Sequence, residues 1–244
     1  MRRELAAAGA RGFVVGLSGG VDSAVVLRLA QLAAPRSTIG LILPCRSDPR
    51  DEADAAAIAA HFSVPTRRID LSPVYDSAVA ALAPAAQSIP DQTPADVNGG
   101  RNDARLAMAN IKPRLRMTAL YFVANSLQYL VAGAGNRAEL AVGYFTKHGD
   151  GAADLLPLAG LVKSRVRELA RELGVPPAII ARTPSAGLWE GQTDESEIGF
   201  TYAELERYLD EGPQAVPPAL AMKIERLMRS SEHKRRLAAV PDGE

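Results

Sequence analysis

The segment Phe13-Val14-Val15-Gly16-Leu17-Ser18-Gly19-Gly20-Val21-Asp22-Ser23-Ala24-Val25-Val26-Leu27 runs from a short apolar stretch through Ser-Gly-Gly straight into an apolar-striped helical pattern. Few local structures accommodate this order. Adjacent glycines let the backbone turn tightly with its N–H groups facing inward, and the helix that follows adds the positive end of its macrodipole, so an anion is favoured at the junction. Asp22 falls in the first turn of that helix. A carboxylate beside a phosphate site repels the ligand unless a divalent cation lies between them, so the residue choice implies Mg²⁺ together with phosphate. A plain strand-turn-helix that needs only glycine and a capping residue is the alternative at this stage.

The loop differs from two common nucleotide loops. It has no Gly-Lys-Ser/Thr ending, so no lysine reaches outer phosphates as in kinases and GTPases. Gly16, Gly19 and Gly20 followed by Val21, Asp22 and Ser23 also miss the Gly-x-Gly-x-x-Gly spacing of dinucleotide folds. Ser18 to Ser23 instead resembles the pyrophosphate loop of the ATP pyrophosphatases, which cleave ATP between its α and β phosphates to adenylate an acceptor. That cleavage position comes from the resemblance.

Strand-like runs alternate with helical ones along the chain, which predicts an open parallel sheet with helices on both faces. Expected strands are 12–17, Thr38 to Leu43, Thr66 to Leu71 and Tyr129 to Ala132. Expected helices include 21–34, Asp51 to Phe62, a segment from Asp103 to Asn125 that restarts at Pro113, and Val162 to Leu173. Residues 83–101 are rich in Pro, Asn and Gly and read as an irregular loop inside one domain spanning 1–244. The stretch Gly133-Ala134-Gly135-Asn136-Arg137-Ala138-Glu139 is a second glycine-rich strand exit, expected beside the first, because ligands of open α/β sheets sit outside the carboxyl ends of the strands.

Two further segments are dense in chemistry. Asn110 to Met117 carries Arg114 and Arg116, which differ by roughly 200° in direction on a helix, so the pair is expected to split between a ligand and a structural role. Tyr144 to Asp154 combines aromatic rings, Lys147 and two carboxylates, a set able to stack a flat heterocycle, hold phosphate and bind ribose hydroxyls.

Ser18 to Ser23, Asn110 to Met117, Glu139 with Tyr144 to Asp154, Lys163 to Leu169, Pro184 to Glu195 and Glu232-His233-Lys234-Arg235 together resemble, in order, the motifs of NAD synthetase. The resemblance implies a Rossmann-like sheet of the adenine nucleotide alpha hydrolase type. It also implies ATP-dependent amidation of deamido-NAD with ammonia through an adenylated carboxylate, in a homodimer. Matched by motif, Gly16, Leu17, Ser18, Gly19, Gly20, Val21, Asp22 and Ser23 would cradle the ATP phosphates, with Lys163 and Ser185 also on ATP. Asp22 and Glu139 would hold Mg²⁺, and Arg114, Lys147, Asp154, His233 and Lys234 would bind deamido-NAD. Asp22 and Lys163 would act electrostatically, with no covalent nucleophile. Ala134 departs from the threonine common in the family, which bears on ATP affinity. Another ATP pyrophosphatase-type amidase or thiolase, or an inactive nucleotide-binding module, is the rival reading.

Composition narrows the partners. The formal net charge is zero over 244 residues, so no overall basic field favours nucleic acid or an anionic membrane. Cys45, the single cysteine, cannot form an internal disulfide, and apolar runs are broken by charge before membrane length, so a cytoplasmic enzyme is expected. Glutamine-dependent relatives carry a large amidohydrolase domain for which this length leaves no room, so free ammonia is the expected nitrogen donor.

Overall fold

The computed structural model describes residues 1–87, 104–189 and 191–238. A short helix, α1 (Arg2–Ala7), precedes β1 (Gly12–Leu17), α2 (Val21–Ala33), β2 (Thr38–Ile42), α3 (Pro49–His61), β3 (Thr66–Arg68) and α4 (Ser72–Gln87). After the break come α5 (Ala104–Ala109), α6 (Ile111–Leu127), β4 (Tyr129–Ala132), α7 (Arg137–Val142), α8 (Lys163–Glu172) and α9 (Pro177–Ile180). The chain continues through α10 (Asp194–Ile198), α11 (Tyr202–Glu211), a 3-10 turn at Pro213–Ala215, α12 (Pro218–Ser230) and α13 (Glu232–Arg235).

All four strands are parallel, in the order β3-β2-β1-β4. The expected neighbouring of the two glycine-rich exits follows directly, since β1 pairs β4 with Val15 opposite Ala132. Alternation along β1 feeds two cores. Phe13, Val15 and Leu17 pack with Val25, Val26 and Leu27 of α2 and with Val166 of α8, whereas Val14 packs on the other face with Ala124 and Leu120 of α6. Each large apolar side chain buried this way contributes roughly 2 kcal/mol. A third cluster joins Ala138 and Val142 of α7 to Phe200, Leu205 and Ile224, fastening the C-terminal helices beside the second strand exit.

Local chemistry explains where the observed elements depart from expectation. Helix α3 begins two residues early because Pro49 suits the first helical position and Asp48 caps it, accepting from Arg50 N at 2.9 Å. β3 stops at Arg68, although Ile69 N and Leu71 N still donate to Ile42 O at 3.0 Å and Pro44 O at 2.8 Å as the chain leaves the sheet edge. The irregular loop expected from residue 83 begins later, since α4 continues through Pro84 to Gln87. A proline one turn from a helix end forfeits one hydrogen bond without ending the helix. The remainder of that loop, 88–101, lies outside the described residues. The restart at Pro113 is borne out: Asn110 separates α5 from α6, and Pro113 occupies the first turn of α6, where its missing N–H costs nothing.

Candidate active site

The junction after β1 is held in shape by its own hydroxyls. Ser23 Oγ donates to Gly20 O at 2.9 Å and accepts from Ser18 N at 3.3 Å, while Gly20 N donates to Ser18 Oγ at 3.3 Å. Gly19 adopts φ +79°, and a Cβ there would stand 2.6 Å from Asp51 O, so this position excludes a side chain on two counts. Gly20 is the N-cap of α2 and supplies no side-chain oxygen, so the first-turn N–H groups are left to an external acceptor.

Asp22 and Glu139 meet at Lys163. The lysine is 3% exposed, forms a short ion pair with Asp22 and stands 3.7 Å from Glu139 Oε1. Asn136, fully buried at the second strand exit, ties the two acids together. Its side chain caps α7 by accepting from Glu139 N at 3.1 Å, its own N–H is met by Glu139 Oε2 at 3.2 Å, and its Nδ2 donates to Asp22 Oδ1 at 3.3 Å. This reciprocal cap is why the Glu139 side chain points back toward β1. Tyr202 closes the group from α11, donating to Asp194 Oδ2 at 2.8 Å, 3.4 Å from Glu139 Oε1, with its ring 5.3 Å from the lysine ammonium.

Electrostatics here are dominated by confinement. Burial, with the Asp22 charge adding to it and Lys163 opposing it, raises the Glu139 carboxyl well above the usual carboxylate range. Burial also raises Asp194, against the Tyr202 hydrogen bond and Lys163. For Lys163, burial works against the charge, yet the neighbouring acids outweigh it and hold the ammonium above its ordinary range. Three carboxyl groups share one lysine, and Asp194 Oδ1 is buried without a hydrogen-bond partner among the described residues. Asp22 and Glu139 are hard oxygen donors side by side, a set that fits a divalent cation completing its shell with phosphate oxygens and water. No group of three His, Cys, Asp or Glu side chains that could hold a metal ion occurs among the described residues.

The loop at 183–195 is anchored at its start. Arg182 Nη1 donates to Asp54 Oδ2 at 2.7 Å and to Gly19 O at 3.4 Å, and its other nitrogen forms a short pair with Asp51. Ser185 is exposed three residues on, its Oγ accepting from Gly187 N at 3.1 Å.

A second group gathers around residues 143–147. Lys147 Nζ donates to His233 O at 2.6 Å, Lys234 Nζ to Gly143 O at 2.8 Å and Phe145 O at 3.0 Å, and Arg114 Nη2 reaches Lys147 O at 3.4 Å. Arg114, Lys147, His233 and Lys234 are thus brought together. His233 Nδ1 lies 3.0 Å from Ser230 O. Asp154 stands apart: its Oδ2 accepts from Val131 N at 2.7 Å and its Oδ1 from Tyr121 OH at 3.3 Å.

Sequence reasoning passed over Asn136, Asp194, Tyr202 and Arg182. Asn136 stood within the motif already quoted, immediately after the second glycine-rich exit, and its capping residue type was the available signal. Nothing local marked Tyr202 or Arg182, since their partners lie 63 and 128 residues away in sequence for Glu139 and Asp54.

The NAD synthase family model matches residues 1–238. The chain is 48% identical over 241 residues to an NH(3)-dependent NAD(+) synthetase of Carboxydothermus hydrogenoformans, covering 99% of this chain and 93% of the relative. Among solved structures it resembles an NMN synthetase from Francisella tularensis, with TM-score 0.87 and 38% identity over 99% of this chain and 94% of that one. It also resembles an NAD+ synthetase from Burkholderia pseudomallei, with TM-score 0.73 and 35% identity over 96% and 85% of the two chains.

Proposed function

The chain belongs to the NAD synthase family, and from that membership and the site just described we infer that it is a C–N ligase amidating deamido-NAD with ammonia and ATP. AMP and pyrophosphate are the other products. The observation that carries this reading is the convergence of Asp22 and Glu139, delivered by neighbouring strand exits, on Lys163 beside the uncapped start of α2.

A carboxylate resists attack by a neutral amine, so the reaction proceeds in two displacements. The nicotinate carboxylate oxygen attacks the α phosphorus as the bond to pyrophosphate breaks; ammonia then attacks the acyl carbon, AMP departs with the electron pair, and the new amide sheds a proton. Catalysis of this kind rests on position and electrostatics. The cradle from Gly16 to Ser23 orients the triphosphate with its N–H groups, and Lys163 stabilises charge that builds on the phosphate oxygens. Mg²⁺ held by Asp22 and Glu139 would draw charge from those oxygens. Ser185 reaches ATP from the anchored loop. Arg114, Lys147, His233 and Lys234 hold the dinucleotide, and Asp154, fixed on the β4 backbone, meets it from the α6 side.

Purified protein with ATP, Mg²⁺, ammonium and deamido-NAD should form NAD, AMP and pyrophosphate in equal amounts. A nucleotide-binding module without catalysis would form none. Replacing ammonium by glutamine should lower the rate at least a hundredfold; equal rates with the two donors would refute ammonia as the nitrogen source. The likeness to an NMN synthetase supports a second reading, in which the acid form of nicotinamide mononucleotide is the substrate. The same assay with both acids, compared by kcat/KM, decides between them.

The enzyme works as a homodimer in the cytoplasm, and its chain forms one domain. In support of the dimer, α4 and α5 pack on α6, and these three helices leave Val74, Leu106 and Phe122 at 50%, 49% and 72% exposure. Exposed apolar side chains of this size favour burial against a partner. Phe122→Glu should shift the sedimenting species from dimer to monomer; an unchanged sedimentation coefficient would remove α6 from the interface. No helix among the described residues is long and apolar enough to cross a membrane.

A further inference from the structure

Arg114 and Arg116 leave α6 in different directions, and only Arg114 reaches the 143–147 loop. Arg116 turns instead toward the carboxyl end of β2, where its Nε donates to Leu43 O at 3.1 Å and its Nη2 to Ser47 Oγ at 2.9 Å. Lys112, one helical turn earlier on the same face, is 6% exposed. Its ammonium donates to Leu188 O at 2.7 Å and to Arg46 O at 3.4 Å, and lies 5.4 Å from the centre of the Tyr75 ring. Every one of these partners is uncharged. No carboxylate among the described residues stands within the 4.0 Å of an ion pair with either cation.

Lys112 is buried and Arg116 half-buried, and two like charges four residues apart on a helix repel each other. Burial, with Arg116 adding to it, draws the Lys112 ammonium below its ordinary range. Buried cations are normally paired, because an uncompensated charge in a dry interior costs several kcal/mol. Here the pair stands on α6 beside the carboxyl end of β2, the strand next to the phosphate cradle, where open α/β sheets take their ligands, and among the described residues Asp150 and Asp51 act on Arg116 only through space, without an ion pair. Among the described residues, two of three ammonium N–H bonds and two of five guanidinium N–H bonds have protein acceptors.

We propose that Lys112 and Arg116 form an anion subsite on the β2 side of the cleft, binding a phosphate or carboxylate oxygen of a substrate. Only the identity of that substrate rests on the ligase reading, in which ATP phosphate and nicotinate carboxylate are the two anions present. Through Leu188 O the same lysine connects the subsite to the loop that carries Ser185.

Lys112→Met and Arg116→Met each delete one charge while keeping most of the side-chain length. Melting temperature is read for the free protein and with ATP, deamido-NAD or inorganic pyrophosphate added singly, alongside KM for both substrates. The free variants should melt at or above the wild-type temperature, since each loses a repulsion. The shift induced by one ligand should collapse and its KM rise at least tenfold, with Lys112→Arg restoring both. Loss confined to ATP and pyrophosphate assigns the subsite to phosphate, and loss confined to deamido-NAD assigns it to the carboxylate. Lower melting temperatures with every ligand shift and both KM values retained would show two structural tethers and overturn the proposal. If one variant does not fold, the other decides alone. A wild type that responds to pyrophosphate but to neither nucleotide would refute the ligase reading, while loss of that response in the variants would still uphold the subsite.

Discussion

Asp22→Asn is expected to lower kcat about a thousandfold or more, equivalent to ~4 kcal/mol at 1.36 kcal/mol per decade, with a melting temperature close to that of the parent protein. The substitution keeps the shape of the side chain and removes its charge, in a group where two other acids remain beside Lys163. Glu139 therefore takes over neutralisation of the lysine, and the fold is little disturbed. What is lost is one of the two carboxylates that fit a divalent cation at the phosphate cradle. Steady-state rates of pyrophosphate release over a range of Mg²⁺ concentrations check this. Turnover within tenfold of the parent at ordinary Mg²⁺ would exclude Asp22 from the chemistry.

Lys163→Met should damage both activity and stability. The ammonium is 3% exposed and faces Asp22 and Glu139, with Asp194 close enough to raise it further. Methionine fills nearly the same volume but leaves buried acids uncompensated. Removing one partner of a buried ion pair costs about 3–5 kcal/mol, which at roughly 2–4 °C per kcal/mol for a chain of this size lowers the melting temperature by about 10 °C. The sign of the Mg²⁺ response separates this account from simple loss of packing. With the lysine gone, Asp22 and Glu139 are both free for a cation, so Mg²⁺ should raise the melting temperature of the variant more than that of the parent. An equal response in the two proteins, or a rate within tenfold of the parent, would contradict the assignment.

Both predictions turn on a group of residues whose members were unequally visible in the chain. Ser18 to Ser23 declared itself, because an apolar strand, two glycines and a helix start impose their geometry over a few residues. Gly133 to Glu139 did the same at the second exit, and parallel pairing was expected from the alternation of elements. Arg114 and Arg116 were separable by helical periodicity, and their side chains do diverge, one toward Lys147 O and one toward Leu43 O. Ends of elements were less legible. Pro84 reads as a helix breaker in sequence, yet it falls in the last turn of α4, where only one hydrogen bond is forfeited.

The sequence by itself determined the parallel α/β architecture, the position of the phosphate cradle and the neighbouring of the two glycine-rich exits that carry Asp22 and Glu139. These are consequences of short-range rules: side-chain period, glycine freedom, caps and helix dipoles act over a turn or two. Only the tertiary structure decided that Lys163 stands between Asp22 and Glu139, that Tyr202 and Asp194 close over it, and that Arg182 locks the Ser185 loop to Gly19. It also decided that buried Lys112 and half-buried Arg116 hydrogen-bond to uncharged groups and form no ion pair among the described residues. Those contacts join residues up to 163 positions apart, and whether a charge is paired or stranded depends on which elements the fold packs against it.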